Sequence, residues 1–566
     1  MTILMKKIIL TLCIFLTVSL VPAQHRLLYQ SFTDGGRDTT LTEVLQLGNR
    51  ILIHAAGAPP ANPIPGMAES STYIIYHDNG GDSIIAQLRY PDHTYYAAYP
   101  MDGHSNYTSE GKEKVNGYNC EKYSIVLFSN KIELWVTEDL KFRATPASSF
   151  SDLPGVLVQY RRNGSAITRL QSVKKMKNIA PLEGRQGESV TTRQLNQIEK
   201  ERKIITRPIF EDAQICFNPK LPKPTAFPYD SVIRCANGTL IVKRVKMDRL
   251  PEHYKVFAEV TEYSNGDAYD RTGSIFIIPA RKAISMLQAL RDSVEVLPYF
   301  TDKQGSAYQG MVRTASYDPP VELIRFFTPF GVRHYNQYRS LDDREWANEV
   351  RYKQDVSDLL PLMDGDVYIG AFIGNYDGGG HKLSLTLKAY PEGDTWVFDD
   401  KTGYIVEPLF NTCNVMEMAG QNYGRLFGTD SLTVTFTVPE NVEHLELRFI
   451  TTGHGGWDTG DEFVPKENTI LIDGKRYYSF TPWREDCGTY RASNPASGNF
   501  WNGMSSSDYS RSGWCPGTAT QPVHVNLTGL KPGPHTLTVA IPQGEPEGGS
   551  FSAWNVSGVL IGHYSK

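Results

Sequence analysis

Three short stretches of this chain put acids, bases and aromatic rings where they could act on a substrate. N-G-D-A-Y-D-R-T-G, residues 265–273, sets Tyr269, Asp270 and Arg271 in line directly before a strand-like segment. G-H-G-G-W-D-T-G-D-E-F, residues 453–463, places His454, Trp457, Asp461 and Glu462 in a glycine-rich loop leading to another strand. S-D-Y-S-R-S-G-W-C-P-G, residues 507–517, carries Arg511 beside a Trp514-Cys515-Pro516 turn. Carboxylates flanked by aromatic and basic groups suit general acid–base chemistry, because a water-poor cleft raises a carboxyl pKa and a neighbouring arginine lowers it. Turns also favour Asp and Gly with no function attached, so each carboxylate taken singly reads more readily as a solvated turn residue than as a catalytic one. Other signatures are missing: there is no G-x-S-x-G elbow, no phosphate-cradling Walker loop and no H-E-x-x-H. The 13 histidines include no His-x-His pair, and no C-x-x-C occurs, so spacing points to no metal and no cofactor.

In combination and in this order, the three stretches resemble the peptide-N-glycosidase F family. D-A-Y-D-R before a strand is similar to the family's acidic-aromatic-Asp-Arg segment, and R-F-F-T-P-F, residues 325–330, to its R-F-I-T-P-Y. T-G-D-E-F puts Glu462 at the family's glutamate, and S-R-S-G-W-C-P-G is the most specific of the matches. The resemblance covers about the last 350 residues. It implies an amidase that cleaves between asparagine and the first N-acetylglucosamine of N-linked glycans, with N-glycosylated proteins or glycopeptides as partners. Carried over position by position, Asp270 is the principal catalytic aspartate and Glu462 a second catalytic carboxylate. Arg271 and Arg511 line the site, Tyr269 belongs to the substrate-binding set, and Trp457 and Trp514 are candidates to stack on sugars. The same resemblance implies a disulfide between Cys487 and Cys515.

The chain departs from the family in two places. The family's third acid falls on F-I-G-N-Y-D-G-G-G, with Gly374 or Asn375 at the position, and Asp377 is the candidate substitute. The cysteine pair that flanks the family's glutamate is absent, which leaves Glu462 to be held by other means.

Such residues need a scaffold, and the composition describes one. At 566 residues the chain exceeds a single hydrophobic core, and 11% aromatic content with 48 Gly and 34 Pro favours short strands joined by turns. In L-T-V-T-F-T-V, residues 432–438, Leu432, Val434, Phe436 and Val438 share one face and the threonines take the other. The pattern recurs at 444–451 and 536–541, and Ile470–Tyr478 reads as a hairpin turning at Asp473-Gly474. Helical spacing marks residues 193–204 and 280–290, and a proline-rich connector runs from Asn218 to Pro228. The patterning favours an all-β fold of antiparallel jelly-roll sandwiches, and the family resemblance implies two packed eight-stranded ones, here at 217–400 and 401–566. They follow a separate β-rich domain at 24–185 and a linker or helix at 186–216.

Lys6 and Lys7, an apolar run from Ile8 to Leu20, and Val21-Pro22-Ala23 before Gln24 have the order of a secretory signal peptide. The run is too short for a comfortable membrane span, so an exported, cleaved chain is expected, periplasmic, cell-surface or secreted, with no membrane span and monomeric. Beyond Cys13 six cysteines remain, which permits disulfides without dictating them. A formal net charge of -5 argues against nucleic acid as a partner. N-G-Y-N-C-E-K (116–122), L-W-V-T (134–137) and L-P-G-V-L (153–157) resemble the GLPGLI proteins exported by Bacteroidetes, a likeness that brings no activity with it. Two other classes compete with the enzyme. A glycan-binding jelly-roll module or adhesin would use the same acids and tryptophans without turnover. A copper monooxygenase on a double jelly roll needs histidine ligands whose spacing this chain lacks.

Overall fold

The computed structural model describes residues 24–33, 40–57, 62–78, 81–104, 106–331, 346–393, 395–455, 460–495, 505–544 and 552–566. The segment read as an export signal and Trp457 lie outside them. The chain divides between Lys203 and Ile204 into two compact units. Among the described residues, no helix is long and apolar enough to cross a membrane.

The first unit is built on one twelve-stranded sheet made of two meanders. Its central strand, Gln24–Thr33, pairs antiparallel with Thr40–Leu47 on one side and with Ala166–Lys175 on the other. The helical spacing noted after residue 192 is realised as a helix, Thr192–Lys203. It seats Leu195 against Leu88, Tyr90 and Ala97 of the same unit.

The second unit holds two antiparallel sandwiches, as the resemblance implied. In the first, strands β1 (Ile205–Ile215), β2 (Val232–Cys235), β3 (Leu240–Met247), β4 (Tyr254–Ser264), β5 (Thr272–Ile277), β6 (Val321–Phe327), β7 (Val350–Asp355), β8 (Gly365–Ile373) and β9 (His381–Pro391) form two sheets. The sheet orders are β1-β9-β4-β7 and β2-β3-β8-β5-β6, the second extended beyond β6 by the two-residue strand Ala519–Thr520. Strand β1 begins well before residue 217, inside the stretch read as linker. Its Pro208 is tolerated because β1 is a sheet edge with a bulge at that point. The helix expected over 280–290 is only Met286–Arg291, started by a capping box between Ser285 and Gln288.

The second sandwich has strands β10 (Thr402–Asn411), β11 (Leu432–Val438), β12 (Val442–His454), β13 (Asn468–Ile472), β14 (Lys475–Phe480), β15 (Val523–Asn526), β16 (Gly533–Ala540) and β17 (Ala553–Ser565). They form two four-stranded sheets, β10-β17-β12-β15 and β11-β16-β13-β14. Period two in β11 buries Leu432, Val434, Phe436 and Val438 and exposes the threonines, as read from the sequence. The β13–β14 hairpin turns where expected, with both Asp473 (φ 51°) and Gly474 (φ 75°) in the left-handed region of a type I′ turn.

The two sandwiches are locked by charges with no access to water. Glu322 and Arg325 on β6 are both 0% exposed and pair with one another. Ser274 of β5 (2.7 Å) and Ser557 of β17 (2.5 Å) donate to the Glu322 carboxylate. Arg325 Nη1 reaches Thr452 Oγ1 at 3.2 Å and the Asn555 carbonyl at 2.6 Å. From β12, Arg448 donates back to the Glu322 and Leu323 carbonyls at 2.9 and 3.2 Å. A buried ion pair adds little net stability when whole but fixes one register, since every other register strands a charge. We predict that Glu322→Gln, which leaves Arg325 uncompensated, lowers unfolding free energy by about 3–5 kcal/mol in a denaturant titration; a loss within error would show that the pair does not hold the interface.

Candidate active site

Asp270 lies on the loop between β4 and β5, and that loop is held from three directions. The Asn265 and Asp267 amides donate to the Gly380 carbonyl at 2.8 and 3.4 Å. Gly266 is needed there, because a Cβ would sit 2.6 Å from the Asp377 carboxylate. After β6, Thr328 clamps the backbone on both sides of Asp270. Its Oγ1 accepts from the Arg271 amide at 2.7 Å and donates to the Tyr269 carbonyl at 3.0 Å, while its own amide donates to the Arg271 carbonyl at 2.9 Å. Phe330 meets the Tyr269 ring edge-on at 5.7 Å.

Glu462 comes from the loop after β12. The Asp461 and Glu462 amides both donate to the Gly455 carbonyl, and the Gly455 amide returns a bond to Glu462 Oε2 at 3.3 Å. This closed turn holds the glutamate without the family's cysteine pair. Arg511 is 1% exposed and joins the two halves: Nη1 pairs with Asp270 Oδ2 at 3.1 Å and with Glu462 Oε1. Its Nη2 donates to the Ser506 carbonyl at 2.7 Å. The two carboxyl side chains keep 15% and 18% exposure, enough for a substrate to reach them. Burial pushes both carboxyls above their usual range and Arg511 pulls both back. Arg271 lowers Asp270 further, whereas the charge of Asp270 raises Glu462.

Arg511 is held by the turn that follows it. Its guanidinium lies 4.3 Å over the Trp514 ring, whose other contacts are Phe327, stacked at 4.2 Å, and the Gly453 carbonyl, 2.9 Å from the indole nitrogen. Trp514 is 3% exposed, so the sugar-stacking role expected of it has no free face; it is the platform of Arg511 instead. The Cys487–Cys515 disulfide is present, with a Cα–Cα distance of 5.2 Å. Beside it the Arg484 and Arg511 backbones pair in both directions, at 2.8 and 3.0 Å. His454 packs against Phe327 and Trp514, and burial drops its pKa to about 3, so it stays a neutral structural ring.

The remaining expected residues are placed differently. Arg271 does not reach for Asp270; its Nε and Nη2 bond Asp267 at 2.7 and 3.2 Å. Its guanidinium stands over Tyr269 and Tyr376, 5.0 and 5.8 Å from the ring centres, and both tyrosines are exposed. Asp377 spends Oδ1 on the Gly379 and Gly380 amides, at 2.7 and 2.8 Å, which makes it a turn-former. Asn375, one of the two candidates for the third-acid position, is 0% exposed and bonded to backbone: its Oδ1 accepts from the Phe217 amide at 3.2 Å and its Nδ2 donates to the Ile373 carbonyl at 2.9 Å. Sequence reasoning passed over Asp267, Thr328, Glu262 and His381. The first two sit inside quoted motifs, D-A-Y-D-R and R-F-F-T-P-F; the last two carry no local signal.

Comparison with known proteins shows the family. Residues 206–389 match the N-terminal domain model of peptide-N-glycosidase F, and residues 422–561 its C-terminal domain model. Residues 105–197, which include the stretches resembling GLPGLI proteins, match the model described as N-glycanase peptide, N-terminal domain. No curated protein matches the chain. Among solved structures, that of PNGF-II in its P21 crystal form is 38% identical, with a TM-score of 0.80, and the match covers 95% of this chain and 99% of that one. The C2 form of PNGF-II is 39% identical at a TM-score of 0.73, covering 96% and 99%. On its site, its two sandwiches and a likeness that runs almost end to end, the chain belongs to the peptide-N-glycosidase F family, in a form that carries an extra N-terminal domain.

Proposed function

We propose that the protein hydrolyses the amide between asparagine and the first N-acetylglucosamine of N-linked glycans, leaving aspartate in the peptide and releasing a glycosylamine. The observation that carries this reading is the single guanidinium of Arg511 shared by Asp270 and Glu462. Amide hydrolysis needs an activated water, a donor to the developing oxyanion and a proton for the departing amine. Two buried carboxyls beside one arginine favour a state with one proton between them, because both cannot ionise cheaply so close together. Asp270, with the extra pull of Arg271, is the ionised base that takes a proton from water. Glu462, raised by the charge of Asp270, keeps the proton and orients the water or supplies the leaving nitrogen. Arg511 offers a fixed, rigid donor where negative charge develops. Tyr269, exposed beside Arg271, offers a ring face to the sugar. We take the substrates to be N-glycosylated proteins or glycopeptides met outside the cytoplasm, in keeping with the amino-terminal export pattern and the disulfide.

A second reading, a glycan-binding protein without turnover, draws support from the third-acid position, where Gly374 or Asn375 is expected in place of an acid. Incubation with a denatured N-glycoprotein separates the two: conversion of the glycosylated asparagines to aspartate is expected, and intact asparagines across a wide pH range would leave only binding.

Asp270→Asn should lower glycan release by about 10²–10⁴-fold with the melting temperature kept, and Glu462→Gln should be strongly impaired too. Near-normal release by Asp270→Asn would identify another carboxylate as the base. Because burial raises Asp270 above the ordinary aspartate value of 3.8, release should decline as pH falls through a midpoint above 3.8; a midpoint at or below it would contradict the desolvated site. The disulfide closes 28 positions, worth roughly 3–4 kcal/mol in the chain-entropy model. Under native conditions mild reduction should cost activity before it costs the fold, read as loss of release at unchanged far-ultraviolet circular dichroism.

A further inference from the structure

Behind the loop that bears Asp270 lies a row of four charged groups, alternating in sign, that the reaction does not consume. Glu262 on β4 and His381 at the start of β9 are both 0% exposed and pair at 2.7 Å through His381 Nδ1. His381 Nε2 faces Asp267 Oδ2 at 3.5 Å, and Asp267, 2% exposed at its side chain, grips Arg271 with both carboxylate oxygens. The Tyr352 hydroxyl of β7 lies 3.4 Å from Glu262 and donates to the Phe327 carbonyl at 3.0 Å. Asp377, the other acid near this loop, is bound to the Gly379 and Gly380 amides. Burial of so many charges is costly unless each is paired, and here each is paired only by the next in the row.

The far end of the row is the group nearest in sequence to the catalytic aspartate. Left to itself, an arginine next to a buried carboxylate pairs with it, and Asp270 would then carry two guanidinium partners, Arg271 and Arg511. We propose that Glu262, His381 and Asp267 are positioning residues that hold the Arg271 guanidinium off Asp270, so that Asp270 shares one arginine with Glu462 and has no second one to itself. The inference rests on Asp270 being the base only where activity is concerned; the placement of Arg271 stands apart from it.

The charges fit this use. His381, raised to about 9 by its two carboxylate neighbours against the cost of burial, is a cation at neutral pH, and Asp267 is held down at about 2 by His381 and Arg271. Were His381 neutral, Glu262 and Asp267 would face one another across an uncharged ring. One of them would then take up a proton, and a protonated Asp267 loses its hold on Arg271. The stacked Tyr269 and Tyr376 rings define where the guanidinium goes while it is held, at the rim and within reach of a sugar.

The test reads Asp270 directly. In protein labelled with 13C at aspartate Cγ, the Asp270 signal is identified by its absence in Asp270→Asn, and its titration is compared between variants. In Asp267→Asn the freed Arg271 should turn to Asp270 and lower its apparent pKa by about one unit or more. The low-pH limb of the kcat profile should move the same way with KM little changed. The double variant Asp267→Asn/Arg271→Gln should return the Asp270 titration to or above its wild-type position, and His381→Gln should shift it in the same direction as Asp267→Asn but less. An unmoved Asp270 in folded Asp267→Asn, or a double variant that fails to reverse the shift, overturns the proposal. If Asp267→Asn does not fold, His381→Gln together with His381→Gln/Arg271→Gln decides on the same two criteria. If the titrations behave as expected and wild-type protein releases no glycan, the amidase reading falls and the positioning role stands.

Discussion

One buried guanidinium sets the tolerances of this molecule. Arg511 must satisfy Asp270 from the first sandwich and Glu462 from the second, and at 1% exposure water cannot make up for a missing partner. Losing both acids would leave its charge uncompensated in a low-dielectric cleft, where the cost is several kcal/mol. The two sandwiches therefore cannot merely adhere. They must dock in a single register, and the Glu322–Arg325 pair with the Arg448 bonds to β6 supplies a second set of buried charges with the same requirement.

The segment R-F-F-T-P-F shows how the two requirements meet. Arg325 belongs to the inter-sandwich lock, Phe327 carries Trp514 and through it Arg511, Thr328 clamps the backbone around Asp270, and Phe330 backs Tyr269. Phe326 packs over Gly273, where a Cβ would come within 2.3 Å of its ring. Five of the six residues of this segment thus transmit the docking register to the acid, the arginine and an exposed ring. Asn494 adds a cross-tie, accepting from the Phe330 amide at 2.8 Å and donating to the Pro516 carbonyl at 3.1 Å, which joins this segment to the disulfide turn.

Electrostatically the site works by division. Asp270 and Glu462 share one cation and both are raised by burial, and their further neighbours differ: Arg271 lowers Asp270, and the charge of Asp270 raises Glu462. A pair of acids pushed apart in this way can give up and keep a proton at the same pH, which is what amide hydrolysis asks of it. How strongly they are pushed apart depends on how close Arg271 is allowed to come, and Asp267 decides that.

Much of this was legible in one dimension. Period-two patterning placed β11 and Asp473-Gly474 placed a hairpin turn, because turn chemistry and strand burial are written in residues that are neighbours along the chain, whereas the motifs around Asp270, Glu462 and Arg511 named the three groups that meet only through their resemblance to a known family. The roles of Trp514, Asp377 and Arg271 were not legible, since each depends on which atoms occupy the space around it. Trp514 is covered by Arg511 and Phe327, Asp377 is used up by two glycine amides, and Arg271 is claimed by Asp267. Glu262 and His381 lie 119 positions apart and pair only because β4 and β9 are neighbours in one sheet. The sequence by itself determined which groups could ionise and which turns could carry them. Which of those groups touch was decided by the tertiary structure, because the energy of a buried charge depends on the distance to its partner and not on its place in the chain.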